Sequence, residues 1–277
     1  MPDLLISPYT SRCLWDSVLS EWVSVLNYLN GDHVNQSALI QGGAGGLGRA
    51  LVDRVLESDR FDRVFVTARD SSRIVSEDPR VVPIALDLTD DASIAKAAET
   101  IRTLTNHLHL AITTAGLLQD DATGLKPEKK LGDLTRSHLQ RVFSVNCFGP
   151  FLWYAALGRL IRHRDPVIIA TLSARVASIG DNRLGGWHSY RASKTAQNML
   201  TKNLSLELGR MNPNAIVIGL HPGTVDTNLS KPFQAGVSPE RLFTPEQSAG
   251  YLWDVLLNLT SEQSGQVIAW DGQAIVP

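Results

Sequence analysis

Cysteine and long apolar runs are both scarce in this sequence. Only two cysteines, Cys13 and Cys147, occur in 277 residues, and their positions match neither a disulfide framework nor a zinc site. No apolar stretch approaches the ~20 residues of a membrane-spanning helix, and the first residues lack the basic flank and apolar core of a secretion signal. We therefore expect reduced, buried thiols and no membrane association. The cytoplasm is the default location, and organellar targeting by the N-terminal residues stays open.

An excess of charge of either sign is also missing. The formal net charge is -2, and no run of like charges occurs, so the sequence gives no indication of nucleic-acid binding. Apolar residues make up 43% and charged residues 19%, which is ordinary for a globular protein. The length favours one large α/β domain over two small ones.

Residues 1–36 differ from the rest of the chain and are predicted to form an N-terminal extension. Apolar residues recur there at helical spacing, and Asn30-Gly31 is a stop signal. They are Leu14, Trp15, Val18, Leu19, Trp22, Val25, Leu26 and Leu29. We expect an amphipathic helix that packs on the body or on another subunit, because its polar face has no Lys/Arg cluster for a membrane surface.

Strand and helix patterns alternate over residues 37–277, which are predicted to form a single catalytic domain. Short apolar strands are predicted at 38–40, 63–67, 81–86, 108–113, 167–172, 215–220 and 266–270. Helices are predicted at 47–57, after a cap at Thr89 or Asp90, at 139–161, at 189–210 and after Thr244-Pro245. This alternation predicts a doubly wound (Rossmann) α/β fold, a mostly parallel sheet of about seven strands with helices on both faces.

Five glycines stand in seven positions between the first strand and the first helix. They match both Gly43-x-Gly45-x-x-Gly48 and Gly42-x-x-x-Gly46-x-Gly48. In either pattern, glycines allow a tight turn and a close approach of the backbone, so that a pyrophosphate can bind at the helix N-terminus. A glycine-rich turn without a ligand is the alternative, but the strand before it and the helix after it favour a dinucleotide site.

Arg69 follows the second strand, where NAD-binding proteins usually have an acid for the ribose 2′-hydroxyl. A carboxylate repels a 2′-phosphate, whereas a guanidinium binds it with two hydrogen bonds. Arg69 therefore predicts NADP(H) in preference to NAD(H). A solvated arginine neutralised by Asp70 is the alternative.

Tyr190 and Lys194 lie four residues apart near the start of the second long helix, so both face the same side. An ammonium beside the phenol is expected to lower the tyrosine pKa. Such a tyrosine can donate a proton to a carbonyl oxygen, or remove one in the reverse reaction. Taken alone, the pair is a frequent chance match on a helix surface.

Several motifs in the same order together make the chain resemble the short-chain dehydrogenase/reductase family, over about residues 37–275. They are Gly42-x-x-x-Gly46-Leu47-Gly48, Asp87-Leu88, Thr113-Thr-Ala-Gly116, Asn146, a serine near 173, Tyr190-x-x-x-Lys194 and Pro222-Gly223-Thr-Val-Asp-Thr227. Residues 173–194 and 220–225 are similar to the C-factor and sniffer-like carbonyl reductases of that family.

The resemblance implies a catalytic role for four residues. Tyr190 is the expected general acid/base, and Lys194 the residue that holds the nicotinamide ribose and tunes Tyr190. Asn146 is expected to hold a water that passes protons to Lys194; without the family, a helix-interior Asn bonded to backbone is the preferred interpretation. Ser173 is the expected substrate-binding serine, with Ser178 as its rival.

The resemblance also implies the cofactor-binding set. Asp87 accepts from the adenine amino group with the Leu88 backbone beside it, unless Asp87 only caps the following helix. The other expected contacts are Gly42, Gly46, Leu47, Gly48 and Arg69 at the phosphates, Thr113, Ala115 and Gly116 on the adenosine side, Tyr190 and Lys194 at the ribose, and Pro222, Gly223, Val225 and Thr227 at the nicotinamide.

The chain departs from the family pattern in three places. Gln41 replaces a threonine and Thr113-Thr114 replace two asparagines, which predicts a weaker polar brace of the central sheet. Ser173 precedes Tyr190 by more residues than the family's serine usually does. Aligning the strand by Leu172 puts Ala174 on the serine position instead.

The expected function is NADP(H)-dependent reduction of a ketone or aldehyde to an alcohol, or the reverse. The segment 229–243 and Trp187 are the expected walls of an apolar substrate site. His188 and His221 are expected to be structural or solvent-facing, and the sequence shows no metal-ligand cluster. The rival function is a nucleotide-binding regulator or scaffold without turnover. By analogy with the family, we expect a homodimer or homotetramer.

Overall fold

The computed structural model describes residues 36–277, and the amphipathic helix predicted near the N-terminus lies outside the described residues. The main sheet has seven strands, β1 (Ser37–Gln41), β2 (Arg63–Ala68), β3 (Val81–Ala85), β4 (Leu110–Thr113), β5 (Val167–Leu172), β6 (Ala215–His221) and β9 (Val267–Ala269). A separate two-stranded sheet joins β7 (Thr224–Val225) to β8 (Leu242–Phe243).

The helices lie between the strands, as the alternation predicts. They are α1 (Gly46–Glu57), α2 (Asp91–Arg102), α3 (Arg136–Phe143), α4 (Gly149–Leu157), α5 (His188–Gly209) and α6 (Pro245–Leu257). Within residues 36–277, no helix is long and apolar enough to span a membrane.

Two apolar cores cover the two faces of the sheet. Successive residues of a strand point to opposite faces, so Ala38 and Ile40 of β1 belong to one core and Leu39 to the other. The first core is closed by α1 and α6, and the second by α2 and α4, where Trp153 is fully buried. The central strands β1, β2, β4, β5 and β6 are almost entirely buried, as expected of a parallel sheet covered on both sides, whereas the edge strand β3 is partly exposed.

All strands of the main sheet are parallel, in the order β3-β2-β1-β4-β5-β6-β9. The chain runs outward from β1 to β3 on one side and from β4 to β9 on the other. The carboxyl ends of β1 and β4 therefore border the crevice in which such folds bind their ligands. The predicted doubly wound fold is confirmed.

The single long helix predicted at 139–161 is wrong, because the chain forms α3, a π-helical turn at Ser144–Phe148, and then α4. A Cβ on Gly149 would lie 2.6 Å from the Leu88 carbonyl oxygen, so this glycine allows close packing against the end of β3. Pro150 has no N–H for the carbonyl four residues earlier, that of Asn146. The chain leaves α4 at Gly158, where φ is +51°.

The predicted helix starts have the expected capping chemistry. Thr244 and Gln247 form a capping box at the start of α6. Of the two candidates before α2, Asp90 is the cap, and its carboxylate accepts from the Ala92 N–H. Asp87 therefore does not cap this helix.

Candidate active site

The turn after β1 depends on glycine at two of its motif positions. Gly42 has φ +85°, and a Cβ there would lie 2.4 Å from Thr114 Oγ1. A Cβ on Gly48 would lie 2.2 Å from the Gly42 carbonyl oxygen. The first turn of α1 therefore rests directly on the backbone of the turn, which no larger residue allows.

The N-terminus of α1 has free hydrogen-bond donors. Gly45 offers no side chain as a cap, the first turn carries no acidic residue, and nothing lies within 4 Å of the position where a Gly45 Cβ would be. Leu47 is buried and fixes the helix on the core. Free N–H groups and the helix dipole at an open glycine surface suit a pyrophosphate.

Gln41, Thr114 and Ala115 connect β1 and β4 beside this turn. The Thr114 hydroxyl donates to the Gln41 carbonyl oxygen at 2.7 Å, and the Ala115 N–H donates to Gln41 Oε1 at 3.1 Å. Gln41 and Thr114, which replace the residues usual in the family, therefore still link β1 to β4 by hydrogen bonds at the edge of the sheet. Thr113 is buried and hydrogen-bonded to the Tyr154 hydroxyl, which holds its side chain on the α4 side of the sheet.

Arg69 lies exposed after β2 and forms no ion pair with any carboxylate in residues 36–277. The Asp70 carboxylate accepts from the N–H and hydroxyl of Ser72, so it caps the next turn instead of neutralising Arg69. Arg69 is thus available to an anion at the end of β2.

Asp87 lies half-buried after β3. Its Oδ1 accepts from the N–H and the hydroxyl of Thr89, at 2.8 and 2.7 Å. These hydrogen bonds, with smaller contributions from Arg69 and Arg141, lower the pKa of Asp87. The group is therefore an ionised acceptor at neutral pH, and Leu88 beside it is buried.

Tyr190 and Lys194 are both buried on one face of α5, next to the carboxyl end of β5. Lys194 Nζ donates to the Leu172 carbonyl oxygen at 2.7 Å and to Gln197 Oε1 at 2.9 Å. Gln197 Nε2 donates to the same carbonyl at 3.0 Å. Gln197, which the sequence analysis did not single out, thereby fixes the lysine; its position three residues after Lys194, on the same face, was the available signal.

The predicted lowering of the Tyr190 pKa is wrong for this structure. Burial raises the pKa of Tyr190 to about 12, because the phenolate would lose its hydration. Burial also lowers the pKa of Lys194 to about 7, since its charged form is disfavoured in the same way. The amine is bound to Leu172 and Gln197, and burial is the cause of the raised pKa of the phenol.

Asn146 lies in the π-helical turn and is fully buried. Its Oδ1 accepts from the Leu117 N–H at 2.7 Å, and its Nδ2 donates to the Leu117 carbonyl and to Ser193 Oγ. The Ser193 hydroxyl donates to the Tyr190 carbonyl oxygen at 2.8 Å. Asn146 thus ties the end of β4 to the first turns of α5, and such π turns are frequent at functional sites.

Neither candidate serine has an uncommitted hydroxyl. Ser173 is buried, and its hydroxyl donates to Asn198 Oδ1 at 2.6 Å, two helical turns beyond Tyr190. Ser178 Oγ accepts from the Asp181 N–H and donates to the Pro277 carbonyl. Ala174, at the aligned serine position, offers no hydroxyl. The choice between Ser173 and Ser178 stays a prediction.

The start of α5 is held by Glu128, which the sequence analysis did not single out. This buried carboxylate accepts from the N–H of Ser189 at 3.1 Å and from its hydroxyl, and the Glu128 carbonyl accepts from the Trp187 N–H. A carboxylate is favourable at the positive end of a 22-residue helix. The two partners lie 61 positions apart in the chain, and no local pattern links them.

The loop after β6 brings the expected nicotinamide residues to the crevice. Gly223 has φ +77°, and a Cβ there would lie 2.6 Å from the Phe243 ring. Pro222 accepts a hydrogen bond from Ser248, and Val225 is buried where β7 pairs with β8. Thr227 reaches the glycine turn, since its Cγ2 lies 3.4 Å from the Cβ position of Gly46.

The segment 229–243 continues across the carboxyl edge of the sheet. Leu229 lies 3.3 Å from the Cβ position of Gly116 at the end of β4. The Phe233 ring packs on Trp187 with centroids 4.8 Å apart, and Trp187 packs on Tyr190 at 6.3 Å. The Trp187 ring therefore lies beside the phenol, and the Phe233 ring lies against Trp187.

The chain belongs to the short-chain dehydrogenase family, whose model matches residues 36–237. It is 30% identical to the 1-hydroxy-2-glutathionyl-2-methyl-3-butene dehydrogenase of Rhodococcus sp. over 236 residues, 85% of this chain and 97% of the relative. The family resemblance drawn from the motifs is thereby confirmed.

Solved carbonyl reductases share the fold. The NADPH-bound carbonyl reductase from chicken fatty liver superposes with a TM-score of 0.77 at 27% identity, covering 88% of this chain and 99% of the other. The carbonyl reductase Sniffer of Drosophila melanogaster superposes with a TM-score of 0.76 at 22% identity, covering 88% and 100%.

Proposed function

We propose that the protein reduces a ketone or aldehyde to an alcohol, or catalyses the reverse oxidation, with NADP(H) as the preferred cofactor. The observation that carries this proposal is the position of Tyr190 and Lys194. Both are buried on one face of α5 at the carboxyl edge of the sheet. The glycine turn and Asn146 border the same crevice.

The residues present fit a dinucleotide from end to end. The pyrophosphate suits the open N-terminus of α1, and the adenine amino group suits Asp87 beside the Leu88 backbone. Arg69, which has no carboxylate partner in the described chain, suits a 2′-phosphate. The NADPH in the chicken carbonyl reductase supports the same preference. The cofactor supplies the hydride, and the protein supplies binding, orientation and a proton.

Tyr190 has the protonation state that reduction needs. With its pKa raised to about 12, the phenol keeps its proton at neutral pH and can donate it to the carbonyl oxygen as hydride arrives at carbon. Oxidation of an alcohol needs the phenolate, which burial disfavours.

Lys194 would bind the nicotinamide ribose through an N–H group for which residues 36–277 supply no acceptor. With a pKa of about 7, Lys194 is partly protonated at neutral pH; in that form it has three N–H donors, and Leu172 and Gln197 accept two of them. The third is available to a ribose hydroxyl. The same contacts fix the amine on the face of α5 that also carries Tyr190, one helical turn earlier.

The substrate is proposed to be an apolar or aromatic carbonyl compound. Trp187 packs beside Tyr190 and Phe233 packs against Trp187, and the two rings form an apolar wall. Ser173 remains our proposal for the residue that binds the developing oxyanion, which requires its hydroxyl to leave Asn198. Without such a donor the barrier rises by roughly 2–4 kcal/mol.

Consumption of NADPH with a panel of dicarbonyls, aromatic aldehydes and quinones tests this function. Tyr190→Phe is expected to lower turnover at least ~100-fold, because the proton donor is lost, while NADPH binding is retained. Tyr251→Phe, which removes an exposed hydroxyl on α6, is the matched control. If the wild type binds NADPH and oxidises it with no carbonyl, the rival function, a nucleotide-binding regulator, replaces the enzyme; the occupied serine hydroxyls are the observation that favours it.

A further inference from the structure

A second cluster of ionisable side chains lies at the opposite edge of the sheet. His107 precedes β4, and His163 and Asp165 precede β5, so all three lie at the amino ends of these strands. Each offers one ligand atom, and these atoms all lie within 4.8 Å of one another. His107 Nδ1 is 2.6 Å and His163 Nδ1 is 4.0 Å from Asp165 Oδ2.

The side chain of His163 is an independent observation that points to a ligand at this cluster. The side chain is only 4% exposed, and its Nε2 donates to the Leu108 carbonyl at 2.9 Å. The proton is therefore on Nε2, which leaves a lone pair on Nδ1. That atom is buried and makes no hydrogen bond within the described residues. An unsatisfied buried acceptor is unfavourable, and a cation beside it removes the deficit.

The cluster opens into a pocket of about 690 Å³, so an ion can reach it from solvent. Arg102 and Arg162 line this pocket but are paired with Glu99 and Glu207. Arg159 and Arg164 also line it and would attract an anion. An anion is nevertheless the wrong partner for the cluster itself, because the His163 lone pair and the Asp165 carboxylate are both acceptors.

We propose that His107, His163 and Asp165 form a binding site for a divalent transition metal, with Zn²⁺ as the best match. Two imidazole nitrogens and one carboxylate oxygen suit zinc better than magnesium or calcium, which prefer oxygen ligands. The metal takes the place of the proton shared by His107 and Asp165. Both side chains are about half exposed, at 44% and 48%, and have room to separate around an ion.

The proposed role is structural. The site ties the segment before β4 to the segment before β5, whereas Tyr190 and the glycine turn lie beyond the carboxyl ends of the strands. Strands of four to six residues separate the two edges by roughly 13–20 Å.

Titration of the chelator-treated full chain with Zn²⁺, Co²⁺ and Mg²⁺ tests the site, by calorimetry and by the Co²⁺ absorption spectrum. We expect one equivalent of Zn²⁺ or Co²⁺ to bind, the melting temperature to rise on binding, and no comparable binding of Mg²⁺. Asp165→Asn and His107→Gln are each expected to weaken Zn²⁺ binding at least tenfold. Both side chains are half exposed, so these variants are expected to fold.

Two control variants should bind Zn²⁺ like the wild type. One is Asp59→Asn, which changes an exposed acid that forms an ion pair with Arg80, and the other is His33→Gln. The proposal is overturned if the wild type shows no saturable binding. It is also overturned if Asp165→Asn and His107→Gln both retain wild-type affinity, or if His33→Gln alone removes the binding.

Discussion

The two edges of the same sheet use polar groups in opposite ways. At the carboxyl edge, glycines leave backbone N–H groups of α1 open, while Lys194, Asn146 and Gln197 are tied down by hydrogen bonds inside the protein. At the amino edge, the buried His163 Nδ1 has no hydrogen-bond partner within residues 36–277. At both edges, contacts between residues distant in the chain bring the side chains together. The difference is that the fold satisfies the buried polar side chains of the carboxyl edge internally and leaves one unsatisfied at the amino edge.

The largest expected effect comes from closing the glycine turn. In Gly48→Ala, the new methyl group would lie 2.2 Å from the Gly42 carbonyl oxygen, so α1 must move away from the turn. We expect NADPH affinity to fall by roughly two orders of magnitude, about 2.7 kcal/mol. Fluorescence titration with NADPH measures this. Gly209→Ala, where no atom lies within 4 Å of the new Cβ, is the control, and equal affinity of the two variants would refute the proposed turn.

A smaller effect on cofactor binding is expected to distinguish an arginine after the carboxyl end of β2 from an arginine at its amino end. Arg69→Ala, after the carboxyl end of β2, is expected to weaken NADPH binding about tenfold and NADH binding by less than about twofold, because only NADPH has the 2′-phosphate. Arg63→Ala, at the amino end of the same strand, should change neither. Parallel titrations with both cofactors decide this, and equal losses for NADPH and NADH would remove the basis for NADP preference.

The last expected effect is on stability rather than on binding, and it comes from the cost of burying the Lys194 amine. The pKa of Lys194 is about 7 in the folded chain, below its usual 10.5, so between these values the unfolded chain binds a proton that the folded chain does not. Stability of the wild type should therefore rise with pH across this window. Lys194→Met lacks this contribution and should be the more stable protein near pH 6–7, by roughly 1–3 kcal/mol, with the gap closing toward pH 10.

Thermal melts at several pH values test this expectation. Lys202→Met, at an exposed lysine on the same helix, is the control and should show no pH-dependent gap. A gap for Lys194→Met that stays constant from pH 6.5 to pH 10 would contradict the lowered pKa of the amine.

Most of the fold was predictable because each strand and its following helix carry their own pattern. The apolar segment before Gly42 and the capping box at Thr244 needed no distant information. The break in the helix between residues 143 and 149 depends instead on contact with Leu88, and only Gly149-Pro150 hinted at it. A long apolar pattern does not reveal a π-helical turn inside it.

The site was predictable as far as its motifs extend. Spacing put Tyr190 and Lys194 on one helix face, but it could not give the pKa of Tyr190, because burial depends on how the rest of the chain packs around the phenol. The role of Glu128 could not be predicted for the same reason, because only the tertiary structure brings it to its partner Ser189. The serine at the end of β5 stays open because sequence alignment cannot fix the direction of one hydroxyl.

The contact between Glu128 and Ser189 ties the segment before α3 to the start of α5. The Glu128 carboxylate accepts hydrogen bonds from Ser189, the residue before Tyr190, and the Glu128 carbonyl accepts one from the N–H of Trp187. A displacement of this segment would therefore move Tyr190 and Trp187 together. If Tyr190 is the proton donor that we propose, residues more than 60 positions upstream would influence turnover without touching the substrate.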